Sequence, residues 1–147
     1  MKKILVSACL LGLSCRYDGK SKPVDEVIAL KEKYSLIPVC PEILGGLPTP
    51  RIPCEIKEGK ALNREGEDKT SEYTKGAEEV LRLARLLECD IAVLKKKSPS
   101  CGSGEIYDGS FTGKTVQGDG VCAKLLKASG ITVLDETQIN ILQDGGL

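Results

Sequence analysis

Short, uninterrupted apolar runs separated by segments of helical spacing constrain this chain's fold more than any other feature. Ile91-Ala92-Val93-Leu94 carries no polar residue, the pattern of a parallel strand covered on both faces. Ile4-Leu5-Val6, Leu36 to Val39 and Ile131 to Leu134 read in the same way. Between them, Val24 to Tyr34, Gly76 to Leu87 and Val121 to Ser129 predict helices. In the clearest, Ala77, Val80, Leu81, Ala84 and Leu87 oppose Glu78, Glu79, Arg82 and Arg85, an apolar stripe against a wet face. Gly130 stops the third helix, and Asp135 is expected to cap a terminal helix with Glu136 in its first turn. This alternation predicts an α/β fold, one domain over residues 1–147. Its form is an open parallel sheet of about four or five strands with helices on both faces, a Rossmann-like three-layer sandwich. Pro41 to Pro53 reads as an ordered loop at the sheet's edge, and Glu55 to Tyr73 as a polar excursion or flap. Lys95 to Gly120 reads as a long glycine- and serine-rich loop.

Cysteine placement gives the first chemical lead. Three of the seven cysteines follow an apolar run within a turn-rich segment: Cys9 in SACLLG, Cys40 in PVCPEILGG and Cys101 in SPSCGSG. Loops at the carboxyl ends of strands are where open α/β sheets assemble their sites. Three thiolates meeting there make an incomplete metal shell with one position free for substrate. The sequence has no CxxC pair, which argues against a zinc ribbon and against a ferredoxin-type spacing. A soft, all-sulfur shell suits an iron–sulfur cluster better than zinc. Cys15 can supply a fourth thiolate and close the site, which would make it structural or electron-carrying. Cys89 and Cys122 read as core thiols, since cysteine packs as a small hydrophobe. Cys54 has no reading from its neighbours.

Around these cysteines, Glu42 stands two residues beyond Cys40 with Pro41 between them. In a water-poor pocket it suits a general acid or base. Ser98 and Ser100 flank Pro99 just before Cys101, and either hydroxyl can hydrogen-bond a substrate or a water. The amides around Gly102, Ser103 and Gly104 can form an anion-binding nest. Tyr-Asp-Gly occurs at Tyr17-Asp18-Gly19 and again at Tyr107-Asp108-Gly109, read as two ordinary turns.

Histidine is absent, which excludes histidine-ligated zinc and every nucleophile activated by imidazole. Lys plus Arg equals Asp plus Glu at 21 each, and aromatics are 3% of the chain. Neither favours a nucleic-acid partner, although Arg51 with Lys95, Lys96 and Lys97 can form a local basic face. The apolar amino end is too short for a signal or a membrane span. An odd number of thiols fits a reduced, cytoplasmic setting.

Three long strings carry a resemblance. KILVSACLLG…RYDGKSKP, PVCPEILGGLPTPRIPCEI and LKKKSPSCGSGEIYDGSFTGKTVQGDGVCAKLL closely resemble a bacterial and archaeal family that includes thiouracil desulfidase. The match runs from about Lys3 to Leu134. The resemblance implies a 4Fe–4S cluster held by Cys9, Cys40 and Cys101, with help from Glu42 and from Ser98 or Ser100. It implies non-redox desulfuration of a small thiolated compound such as 2-thiouracil, giving the carbonyl product and hydrogen sulfide. Cys15 and Cys54 depart from the family pattern; the second suggests packing. Two other readings stand beside this one: cluster-dependent sulfur transfer on a nucleotide or RNA, and a non-catalytic four-thiolate site that uses Cys15.

Overall fold

The computed structural model describes residues 1–145. Strand β1 (Lys2–Ser7) runs into a 3-10 turn at Ala8–Leu11. Helix α1 (Asp25–Ile28) and a second 3-10 turn at Ala29–Glu32 lead into β2 (Tyr34–Val39) and the one-turn helix α2 (Pro41–Leu44). A hairpin of β3 (Cys54–Lys57) and β4 (Lys60–Asn63) precedes the long helix α3 (Thr70–Leu86). After β5 (Ile91–Leu94) comes a second hairpin, β6 (Glu105–Tyr107) and β7 (Thr115–Gln117). Helix α4 (Val121–Ala128), β8 (Thr132–Asp135) and α5 (Asn140–Gln143) complete the described chain.

The main sheet has the order β2-β1-β5-β8, and every pair in it is parallel. The predicted α/β sandwich is therefore present, with four strands in its sheet. The chain winds outward from β1 to β2, then returns to the other side of β1 to place β5. That reversal makes the gap beyond β1 and β5 a topological switch point, where open sheets bind ligands.

Alternation along the strands divides the core in two. Leu5, Ala92 and Leu94 pack with Ala77, Val80 and Ala84 of α3 and Ala123 and Leu126 of α4. Ile4, Val6, Ile91 and Val93 point the other way, onto Val27, Leu30, Ile139 and Leu142. Cys89 and Cys122 lie in the first of these cores, as read from their positions. Among the described residues no helix is long and apolar enough to cross a membrane.

Several local expectations change. Helix α3 begins at Thr70 rather than Gly76, because its buried row runs through Tyr73, Gly76, Ala77, Val80, Leu81 and Ala84. The Asp68 carboxylate accepts the Thr70 amide at 2.8 Å and starts the helix. Residues read as a polar excursion form the β3–β4 hairpin, whose Glu55 Oε1 accepts the amides of Gly109 and Phe111. That carboxylate stitches one hairpin to the loop of the other. The expected first helix is one α turn plus a 3-10 turn, and Tyr34 already belongs to β2. Pro41 to Pro53 contains α2. Asp135 ends β8 and caps no helix; its Oδ1 accepts the Thr137 amide at 2.7 Å in a turn.

Gly76 has a packing purpose that helical spacing does not reveal. A Cβ there would lie 1.8 Å from the Pro41 carbonyl oxygen, and one on Gly45 would lie 2.0 Å from that of Glu72. Two bare glycines thus let α3 touch the backbone of α2, the turn that carries Glu42. Gly76→Ala is expected to destabilise the fold by about 3 kcal/mol, the upper end for overpacking, and to displace Glu42. Thermal melting and turnover measured together check this; an unchanged melting temperature would contradict the contact.

Candidate active site

Neighbouring strands β2, β1 and β5 each deliver a cysteine beyond their carboxyl ends. Cys9 lies in the 3-10 turn after β1, Cys40 directly follows β2, and Cys101 lies in the loop after β5. All three line one cavity of about 370 Å³. Its wall also includes Cys15, Cys54, Glu42, Arg51, Tyr73, Ser98 and Ser100. All seven cysteines are free thiols. Among the described residues, no three Cys, Asp or Glu side chains converge tightly enough to hold a single metal ion. The thiols instead ring a volume.

Each thiol is held differently. Ser7 Oγ donates to Cys101 Sγ at 3.3 Å and accepts the Lys95 amide at 2.9 Å, linking the ends of β1 and β5. Burial pushes the Cys101 thiol up to about 12, against the lowering effect of the Ser7 hydrogen bond. Cys40 is also raised, first by its contact with Cys15 and then by burial. In Cys15 the contact with Cys40 acts downward, but Cys9 and burial outweigh it and the thiol is raised.

Serine, carboxylate and guanidinium form a directed chain on the opposite wall. Ser100, 1% exposed, donates from Oγ to Glu42 Oε2 at 2.9 Å. Arg51 Nε donates to Glu42 Oε1 at 2.9 Å. Ser98 Oγ accepts the amides of Ser100 and Cys101, both at 3.1 Å, and lies 3.1 Å from Ser100 Oγ. A hydroxyl has one proton and two lone pairs. Ser98's lone pairs are taken by the two amides, and an ionised carboxylate only accepts. The protons therefore point one way, from Ser98 to Ser100 to Glu42. Ser100 touches the carboxylate, while Ser98 shapes the turn and feeds Ser100.

Arg51, expected on a local basic face with the lysine run, is instead buried against Glu42, 6% exposed in its side chain. Its Nη2 donates to the Cys15 carbonyl at 2.9 Å and its Nη1 to the Pro48 carbonyl at 3.1 Å. Burial acts to lower its pKa, yet the Glu42 charge and hydrogen bond raise it overall. Replacing Arg51 by glutamine leaves a buried carboxylate unpaired, expected to cost about 3–5 kcal/mol. Turnover should fall about 100-fold as Glu42 loses its orientation. Calorimetry and steady-state kinetics check both; full turnover in Arg51→Gln would remove it as a positioning group. Its trace in the sequence is slight: it is the one charged residue between Glu42 and Glu55.

Tyr73 was also missed, whereas Cys54 packs beside it as its packing reading expected. Burial first, then the Glu42 charge and Cys54, push the Tyr73 phenol well above its ordinary value, so it stays protonated beside the carboxylate. Four of the chain's five aromatic side chains, Tyr17, Tyr73, Tyr107 and Phe111, line this cavity. Both Tyr-Asp-Gly segments are turns as expected: Asp18 and Asp108 accept the amides of Lys20 and Ser110 at 3.0 and 2.9 Å. The expected nest is absent. Gly102 donates to the Ser98 carbonyl and Gly104 to Asp119, both at 2.8 Å. The lysine run is half-buried, with Lys95 Nζ 3.2 Å from Glu136.

Fold and site together define a doubly wound α/β protein with a thiol-ringed cavity and an oriented carboxylate at its switch point. The chain belongs to the 2-thiouracil desulfurase family, whose model matches residues 4–138. It is 42% identical over 147 residues to the uncharacterised protein YbbK of Bacillus subtilis (strain 168), covering 93% of this chain and 97% of that one. The solved structure of the [4Fe-4S]-dependent thiouracil desulfidase TudS superposes with a TM-score of 0.93 at 43% identity. That match covers 99% of this chain and 97% of TudS.

Proposed function

We propose that this single-domain chain is a cytoplasmic [4Fe–4S]-dependent desulfidase. It replaces the sulfur of a small thiolated compound such as 2-thiouracil by oxygen from water, releasing hydrogen sulfide. The convergence of Cys9, Cys40 and Cys101 on a cavity walled by Ser100, Glu42 and Arg51 carries this reading. The donor set fits the cluster: reduced, soft sulfur donors spread round a volume suit a polynuclear iron–sulfur group better than a single ion. Cys9, Cys40 and Cys101 would hold it, and Arg51 offsets part of the thiolate charge.

When bound, the cluster supplies Lewis acidity toward the thiocarbonyl sulfur. Glu42 takes a proton from the water that attacks the thiocarbonyl carbon. The same carboxyl returns that proton to the departing sulfur, and the water's second proton follows by the same route as the carbonyl forms, so that sulfur leaves as hydrogen sulfide. Arg51 holds Oε1 and Ser100 holds Oε2, so the carboxylate meets the water in one orientation. Tyr107 and Phe111 line the cavity and supply aromatic surface suited to a planar heterocycle. One water is consumed and one hydrogen sulfide leaves, with no electrons transferred. Turnover of 2-thiouracil in ¹⁸O-water without reductant tests the scheme. Uracil carrying the heavy oxygen, with stoichiometric sulfide, is expected; a requirement for reductant would overturn it.

Arg16, Arg64, Lys96 and Lys97 on the cavity lining favour one alternative, cluster-dependent chemistry on a nucleotide or RNA. Binding that weakens steeply with salt would support that alternative.

A further inference from the structure

Cys15 is a thiol for which the proposed reaction has no use, although it lines the same cavity and is 8% exposed. The other spare thiols have accounts. Cys89 and Cys122 belong to the core under α3 and α4, and Cys54 packs with Tyr73 in a separate cluster. Cys15 instead shares an apolar cluster with Cys9, with Cys40 packed against it. Cys40 Sγ donates to the Cys15 carbonyl oxygen at 3.8 Å.

Its wall is also informative. One guanidinium, that of Arg51, holds the Cys15 carbonyl through Nη2 and the Glu42 carboxylate through Nε, each at 2.9 Å. Cys15 is thereby fixed on the Glu42 side of the cavity, where substrate must enter for that carboxylate to act. Its amide donates to the Leu13 carbonyl at 2.9 Å. Both backbone anchors leave the Cα–Cβ bond free. Cys15 lies between the Ala8–Leu11 turn and α1, outside any helix or strand. Rotation between staggered wells can swing the sulfur without moving the chain.

We propose that Cys15 is a fourth thiolate that closes the site at rest and withdraws when substrate enters. The proposal rests on the cluster reading above. The exchange transfers no electrons: the Cys15 sulfur gives up the fourth coordination position and takes a proton from solvent as the substrate sulfur takes its place. Arg51, already raised by Glu42 and Cys40, helps to balance the added negative charge. The cap competes with substrate. If it is closed in about nine of ten resting molecules, the apparent KM is raised about tenfold.

The test loads wild type, Cys15→Ala and Cys15→Ser with iron and sulfide anaerobically, counts iron, then oxidises each with ferricyanide. Electron paramagnetic resonance reads how much three-iron cluster forms. An iron held by a fourth thiolate resists removal, whereas an open one is lost. About four irons per chain in all three are expected, with a three-iron signal at least about fivefold larger in Cys15→Ala than in wild type. Cys15→Ser, nearly isosteric, should behave like the alanine variant and guards against a folding artefact. KM for 2-thiouracil should fall about tenfold in Cys15→Ala. Equal three-iron signals in wild type and both variants would overturn the cap while leaving the cluster intact. Absence of a cluster in wild type would instead overturn the reading beneath it.

Discussion

Glu42→Gln is expected to load iron like the wild type and to lose turnover of 2-thiouracil by about 10²- to 10⁴-fold, the range a positioned acid–base group supplies. Glutamine keeps the shape and can still accept from Arg51 Nε. The amide cannot take a proton from water. Its NH₂ would also face Ser100, which donates to Glu42 Oε2 at 2.9 Å in the native site. Ser100 would have to reverse and donate toward Ser98, whose oxygen already receives two amides at 3.1 Å. The substitution therefore removes the base and frustrates the chain of hydroxyls behind it. Iron content, absorbance and initial rates on one preparation check the prediction. Turnover within about twofold of wild type would remove Glu42 from the mechanism.

Cys101→Ala should do the opposite: fold, but hold no cluster, with sulfide release lost entirely. Cys101 is 5% exposed and sits where Ser7 ties β1 to β5. Its raised pKa means that it is a neutral thiol until a metal displaces the proton, and the cluster cannot anchor on two thiolates alone. Losing one buried sulfur costs about 1 kcal/mol in packing, so circular dichroism should remain native. Cys122→Ala is the matched control. It is 0% exposed and lies in the α3–α4 core, so it should lose similar stability and keep all its iron. Equal iron in both variants would remove Cys101 from the set of cluster ligands.

The strand β5 was legible because it is buried and apolar at every position, and β1 because its last four residues are buried; the edge strands β2 and β8 are only partly buried and showed as shorter apolar stretches. The cysteines were legible because a thiol beside proline or glycine after such a strand has few structural uses. The strand order was not. Nothing local tells β5 to pair with β1 rather than β2, although that choice creates the switch point. Helix α3 was read six residues short because Gly76 packs against α2 and Tyr73 against the β3–β4 hairpin, and a glycine looks like a start when its neighbour is unknown. The hairpins were invisible because their strands have only three or four residues each, too few to show alternation. Arg51 and Tyr73 were missed because their importance lies in touching Glu42, a contact made by the folded chain.

Cluster assembly and sulfur release can be read in one tube. The chain, reconstituted anaerobically with iron and sulfide, is given 2-thiouracil without reductant while absorbance, iron and hydrogen sulfide are measured. A broad band near roughly 400 nm, about four irons per chain and sulfide equal to uracil formed are predicted. Zinc bound in place of iron, with no sulfide released, would contradict the account and leave the thiols a structural site.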